Sequence, residues 1–444
     1  MDRQRIGKPA CPAEYPPQLL KAIGSYLPRR GLELIGQDKR VRWTDRLLTV
    51  MAILTSWQQA ATMLDAFEWA RAVLVSMYKT RRRPGKTLAG YLAALQNASC
   101  RLLGKVVAHL RTCTRRVAGR AWRWKHWAVL AVDGTRVDCP RTCANEEAFG
   151  CAGRKKTGPQ QYLSTVFHVC TGLIWDFRRG SGTASERDHL RGMTYGLPHR
   201  SLLLMDAGYS GYDLLSSLVA AGHDFIVRVG SNVALLRKLG YYVKEHDGIV
   251  YLWPESQRKR EPLVLRCVRV KSSRQSVVLL TSVLDETRLT DAEVAAWYRR
   301  RWQAELSYRS LKQTLGKRKM LSDTPDRARV ELDWTVVSLW LLGLATAEQQ
   351  RQPSSGPYGV VSWSAAKALR AVRRAMHHRH ARAPAGGLRR QLRLARIDGY
   401  RRKGSRKARD WPHKKNQPPR GLPKFRTATR MEVRLAKGLV LCYS

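Results

Sequence analysis

Two uninterrupted apolar runs, each closed by an aspartate, constrain this chain more than anything else in it. Ala128–Val132 leads into Asp133, and Leu202–Met205 leads into Asp206. Runs of this length and content read as strands covered on both faces, which belong in the middle of an α/β sheet. A carboxylate on or at the end of such a strand is costly to bury unless it is paired or bound to a cation. Each also admits a plainer reading as a turn or cap aspartate, because Gly134 and Gly208 follow closely. Asp138 is a third candidate. If the first strand runs on through Val137, side-chain alternation puts residues 133 and 138 on opposite faces.

The flanking pattern supplies the rest of a mixed α/β sheet. Trp127–Val132, Tyr162–Val169 and Leu173–Phe177 are β-type runs, the last two joined at Thr171–Gly172 as in a hairpin. A helix over Ser185–Tyr195, a strand over Ser201–Met205, a helix over Tyr212–Ala221 and a strand over Asp224–Val229 follow. Residues 231–284 hold only strand-like pieces (Leu239–Val243, Ile249–Trp253, Leu263–Val270, Val277–Val283) and read as a β-rich insertion. Thr290 and Glu293 form a capping box that opens a strong helix, and a further helix spans about Arg327–Gln350.

Upstream, residues 1–125 read as helical, with apolar spacing over Thr44–Tyr78 and Leu88–Ala118. The basic turn between them, Lys79–Gly85, suits recognition of a DNA end and equally suits a solvated loop. Gly85-Lys86-Thr87 is not a phosphate-binding loop, since Thr80 stands where its first glycine is needed. Five segments result: a helical, DNA-end-binding module (1–125), the first part of an α/β domain (126–230), the insertion (231–284), the completing helices (285–350) and a basic, partly flexible C-terminal region (351–444).

Charge narrows the partner. Lys and Arg number 81 against 34 Asp and Glu, a formal net charge of +47. Such an excess self-repels unless a polyanion neutralises it, which points to nucleic acid. With 44% hydrophobic residues the chain is nevertheless rich enough to fold. Residues 401–430 hold twelve Lys and Arg and one acid, Asp410, and read as a tail along backbone phosphates. Met1–Ser25 lacks an apolar leader core, and Leu47–Met63 and Val336–Ala345 are too short or interrupted to span a membrane. Nine cysteines without regular spacing fit a reducing cytosol. Cys139, Cys143, Cys151 and His168 match no zinc spacing, and the histidines at 377, 378 and 380 read as phosphate-facing surface. A cytoplasmic, nucleoid-associated protein is expected.

The helix from Thr290 decides the chemistry. Counted from Glu305, Tyr298 is at −7, Arg301 at −4, Tyr308 at +3 and Lys312 at +7, one stripe of a helix with 3.6 residues per turn. That composition is not a core face, and two tyrosines flanked by Trp297 and Trp302 are not an ordinary solvated one. Tyr298-x2-Arg301-x3-Glu305-x6-Lys312 resembles the Tyr-Arg-Glu-Lys signature of bacterial insertion-sequence DDE transposases of the insertion-sequence-four family. Val132–Thr135 and Met205–Tyr209 resemble that family's first and second acidic blocks. The resemblance covers roughly Trp127 to Gly316; the helical module and the basic C-terminal region match in character only.

The resemblance implies a ribonuclease H-like sheet, with Asp133 and Asp206 on adjacent central strands and Glu305 approaching from a helix. Three carboxylates in one pocket would bind Mg²⁺ or Mn²⁺, two ions in all, for cleavage at transposon ends and strand transfer into target DNA. Arg301 and Lys312 would clamp DNA phosphates and Tyr298 would bond or stack beside them, with Arg228 a further phosphate contact. Trp253, in the insertion, is either a stacking platform for a flipped base or a hydrophobic anchor for the insertion. A dimer on paired ends is expected. Two other readings stay open: a catalytically silent DNA-binding derivative, and an RNA-processing nuclease on the same scaffold.

Overall fold

The computed structural model describes residues 15–28, 32, 42–77, 84–152, 158–270, 276–350, 363–377, 387–397 and 421–441. Four helices come first: α1 (Tyr15–Gly24), α2 (Asp45–Trp57), α3 (Met63–Met77) and α4 (Leu88–Ala118). The stretch expected as continuous helix over 44–78 is split between α2 and α3. Thr44 and Thr87 cap α2 and α4 with their side-chain oxygens, and Gly119, with φ +51°, ends α4 where a Cβ would be strained. Most of the basic turn, Lys79–Arg83, lies outside the described residues, as do residues 378–380 and 401–420.

The sheet begins with β1 (Ala128–Asp138), then α5 (Cys143–Phe149), β2 (Gln160–His168) and β3 (Leu173–Ser181). There follow α6 (Glu186–Met193), β4 (Ser201–Met205), α7 (Tyr212–Ala220) and β5 (Asp224–Val229). β1, β2 and β3 run antiparallel, while β4 and β5 lie parallel on the other side of β1. Three antiparallel strands continued by two parallel ones, with β1 at the junction, form the ribonuclease H-like sheet.

The insertion does not fold away from this sheet. β6 (Ala234–Arg237), β7 (Ile249–Leu252), β8 (Leu263–Val270) and β9 (Val277–Thr281) extend it beyond β5. The strand expected over Leu239–Val243 lies earlier, in β6. Lys238 and Gly240 both take positive φ, which breaks extended backbone at that point.

After α8 (Asp291–Arg300) and α9 (Trp302–Arg309) comes α10 (Pro325–Gln349). Although α10 is long and apolar enough to cross a membrane, 83% of its most apolar window is buried inside the protein. A helix apolar all round is what a central core position requires. It packs between the sheet and the N-terminal helices, and indole N–H groups stitch that junction. Trp57 donates to the Ser338 carbonyl, Trp334 to Ser99 and Trp340 to Thr114. The N-terminal helices thus share one core with the sheet. α11 (Ala365–His377) and α12 (Gly387–Leu394) pack against α1 and α10.

The C-terminal region also joins the sheet. β10 (Lys424–Thr427) pairs parallel with β6 at the sheet edge and leads into α13 (Arg430–Leu441). One carboxylate fastens this end: Glu432 accepts from Arg258, Arg426 and Thr429. Ten strands are described in all, in the order β10-β6-β7-β8-β9-β5-β4-β1-β2-β3.

Candidate active site

Asp133 sits within β1, opposite Thr165 of β2, because β1 runs on past it to Asp138. On the other side β1 pairs in parallel with β4, Ala131 beside Leu204. The ladder ends at that pair; carried two residues on, its offset of 73 (204 − 131 and 206 − 133) brings Asp206 beside Asp133, whose carboxyl feels the Asp206 charge. Neighbouring strands lie about 4.8 Å apart, so the two carboxylates flank one crevice at the carboxyl ends of parallel strands. Asp206 is also a turn residue, as its plainer reading allowed. It caps the short helical turn Ala207–Tyr209 and accepts from Gly208 N at 2.8 Å. Asp133 accepts from Gly134 N at 2.9 Å.

Glu305 reaches the crevice from α9, which packs on β1. The signature helix is not the continuous rod its spacing predicts. α8 ends at Arg300, Arg301 forms the joint, and Ser310–Thr314 winds as a wide π turn. Tyr308 is therefore a core residue and not part of an open stripe. It is 7% exposed, and its hydroxyl bonds both the Asp133 carbonyl oxygen and Thr165. Those bonds tie α9 to the strand that carries the first carboxylate. Trp297 is fully buried, whereas Trp302 is 59% exposed.

Arg301 is mostly buried and pairs with Glu305 at 3.1 Å. Burial works against its charge, but Tyr298, Asp133, Asp206 and Glu305 together raise its pKa. Asp133 is pushed up to about 6, by burial first and by the charges of Asp206 and Glu305, against the pull of Gly134 N–H and Arg301. These couplings place Asp133, Asp206, Glu305 and Arg301 in one electrostatic neighbourhood. Tyr298 and Arg228 belong to it as well. The Tyr298 phenol is raised by burial, lowered by Arg301 and Arg228, and raised by Asp206.

Two sequence candidates lie elsewhere. Lys312 faces an open groove beside Arg136, Asp138, Arg309 and Arg318. Burial lowers its pKa, while Asp138 acts to raise it. Trp253 is 2% exposed, donates its indole N–H to the Arg260 carbonyl and lies under the Arg258 guanidinium. It anchors the insertion, and its ring is not presented to a base. Sequence reasoning missed Arg136, Arg309 and Arg318, whose grouping depends on the twist of β1 against the π turn. It also missed Glu186 of α6, since an acid in the first turn of a helix is routine.

The donor set is all oxygen, which suits a hard divalent cation. Among the described residues no three His, Cys, Asp or Glu side chains converge on a single ion-sized point. Asp133 and Asp206 would be the residues to hold such a cation, and Glu305, paired here with Arg301, would be a further donor.

Residues 126–341 match the family described as the transposase DDE domain. The chain is 29% identical over 263 residues to transposase InsG for insertion sequence element IS4 of Escherichia coli (strain K12), covering 55% of this chain and 58% of that protein. It is 29% identical over 171 residues to putative transposase y4zB of Sinorhizobium fredii, covering 36% and 47%. The chain thus spans about half the length of these curated relatives. A solved structure of the piggyBac transposase synaptic complex with hairpin DNA aligns over 92% of this chain and 91% of that one, at 13% identity and a TM-score of 0.42. The fold and the acidic crevice agree with that domain match. Over residues 126–341 the chain matches the transposase DDE domain, and it is similar to transposases of insertion-sequence elements.

Proposed function

We propose that this protein is a metal-dependent DNA transposase that cuts at the ends of its element and joins them to target DNA. The observation that carries the reading is the pairing of β1 with β4, which brings Asp133 within reach of the charge of Asp206, with α9 and its Glu305 tied to β1 by Tyr308. Asp133, Asp206 and Glu305 are the residues that would hold Mg²⁺ or Mn²⁺. Two such ions supply activation of the attacking oxygen and stabilisation of the leaving oxygen at phosphorus.

The chain's own groups do the remaining work. Arg301, buried beside the carboxylates, takes a DNA phosphate next to the scissile bond, with Tyr298 and Arg228 lining the approach. Lys312, Arg136, Arg309 and Arg318 carry the phosphates of the adjoining stretch along the groove. The +47 charge holds the rest of a long DNA footprint, and two copies pair two ends.

The test is cleavage of linear DNA bearing the element's ends in Mg²⁺, comparing wild type with Glu305→Gln. Loss of cleavage with retained DNA binding is expected. Equal cleavage by the two proteins would remove the assignment.

A further inference from the structure

Glu186 opens α6 directly after its cap, Ser185. The helix dipole alone accounts for an acid there, but not for what surrounds it. An ideal Cβ placed on Gly208 would lie 2.6 Å from Glu186 Oε2 and 3.0 Å from Asp206 Oδ1. Those two oxygens are therefore at most 5.6 Å apart (2.6 plus 3.0). In a chain with 81 Lys and Arg, neither Glu186, Asp206 nor Asp133 makes an ion pair among the described residues.

Two phenols end in the same place. Tyr162 is 1% exposed, and its hydroxyl makes no hydrogen bond of full geometry, only a marginal one to Glu186. That hydroxyl presses on the backbone beside Asp133, where a Cβ on Gly134 would be 1.7 Å away. Tyr209 is 0% exposed and its hydroxyl is without a partner. After burial, the Tyr162 phenol is raised by the charge of Glu186 and a hydrogen bond to it and by Asp133, and lowered by Arg136. Buried hydroxyls are normally satisfied, by protein or by water. One orphaned and one poorly satisfied hydroxyl against carboxylates that make no ion pair mark room for ordered water or a hydrated ion.

We propose that Glu186 is a fourth carboxylate of the pocket, holding a hard divalent cation jointly with Asp206, while the Tyr162 and Tyr209 hydroxyls accept hydrogen bonds from that cation's hydration water. The proposal rests on reading the crevice as a cation site. Mg²⁺ and Mn²⁺ both take oxygen ligands, and Mg²⁺ keeps several waters when bound by one or two carboxylates, which is the ligand count offered here. Gly208 keeps the gap between the two carboxylates open.

The experiment is a Mn²⁺ titration of the full-length protein, followed by the electron paramagnetic resonance of free Mn²⁺. Wild type, Asp133→Asn, Glu186→Gln and Glu186→Asp are compared, with DNA-end binding and thermal unfolding in chelator measured alongside. Glu186→Gln is expected to weaken Mn²⁺ at least tenfold, and Glu186→Asp to fall between it and wild type, with DNA binding and unfolding unchanged. Wild-type Mn²⁺ affinity in Glu186→Gln would overturn the role of Glu186 and leave the cation site standing. Equal binding by wild type and Asp133→Asn, or none by either, would overturn the cation site and this proposal together. If Glu186→Gln does not fold, Glu186→Asp decides: weakened Mn²⁺ supports the role, and unchanged affinity overturns it.

Discussion

Replacing Asp133 by Asn should stabilise the metal-free protein while abolishing its chemistry. Folding pushes the Asp133 carboxyl from 3.8 up to about 6, burial being the largest cause. A carboxyl raised in this way binds its proton more tightly folded than unfolded. The stability it contributes is complete below pH 3.8 and is lost as the pH climbs through 6. A shift of about two units at 1.36 kcal/mol each makes ionised Asp133 cost roughly 3 kcal/mol at pH 8. Asparagine keeps an oxygen for the Gly134 N–H and removes the charge. Equilibrium urea unfolding in chelator should show Asp133→Asn about 2–3 kcal/mol more stable than wild type at pH 8, the gap closing toward pH 4.5. Asp333 is also raised to about 6, by burial against its pairing with Arg179, but it is common to both proteins and drops out of the difference. Parallel stability curves across the pH range, or a variant less stable at pH 8, would refute the reasoning.

Four further outcomes follow from the same contacts. Lys312→Ala should weaken DNA-end binding and reduce the slope of log affinity against log salt by about 0.9, one phosphate's worth; an unchanged slope removes Lys312 from the interface. Tyr308→Phe deletes the hydroxyl that ties α9 to the Asp133 carbonyl and should cost about 1–2 kcal/mol in urea unfolding, whereas no loss would show that the tie is idle. The Glu432 carboxyl is held at about 2, chiefly by Arg426, so its contribution is present above pH 4.5 and fades as the pH falls through 2; Glu432→Gln should speed amide exchange over 424–441 and leave β1 protected, and uniform exchange would refute the clamp. Mn²⁺ and a DNA end should raise each other's affinity by the same factor, which titrating Mn²⁺ with and without DNA measures; independent binding would contradict the coupling.

The central sheet was legible because buried parallel strands leave long apolar runs. Ser201–Met205 and Asp224–Val229 were placed to the residue, and the Thr290–Glu293 capping box forms as read. Both aspartates could be picked out because they oppose the local hydrophobic pattern. Four features were not legible, each for a physical reason. Tyr308 looks polar on a helical wheel but spends its hydroxyl on a backbone carbonyl of another element, a partner 175 residues away. Trp253 carries no sign of whether its face will be covered. The break at Arg301 and the π turn at Ser310–Thr314 do not alter residue spacing, so a wheel drawn at 3.6 per turn misplaces Lys312. β10 is four residues long within a basic stretch, and only its pairing with β6 makes it a strand.

The position of Arg301 explains how the carboxylates of the crevice sit so close together. Asp133, Asp206 and Glu305 would repel one another, and a single guanidinium among them supplies the counter-charge. It does so incompletely: Asp133 remains raised to about 6, and Arg301 Nε–H finds no acceptor. A DNA phosphodiester, with two free oxygens and one negative charge, can take that fork as a carboxylate does. In the proposed function, Arg301 turning to phosphate would free Glu305 as a cation donor, and a cation held by the aspartates would weaken the reason for Arg301 to stay with Glu305. On the proposed reading, metal and DNA would release each other's ligands, and a chain carrying +47 would keep its third carboxylate paired until a phosphate sits in the site.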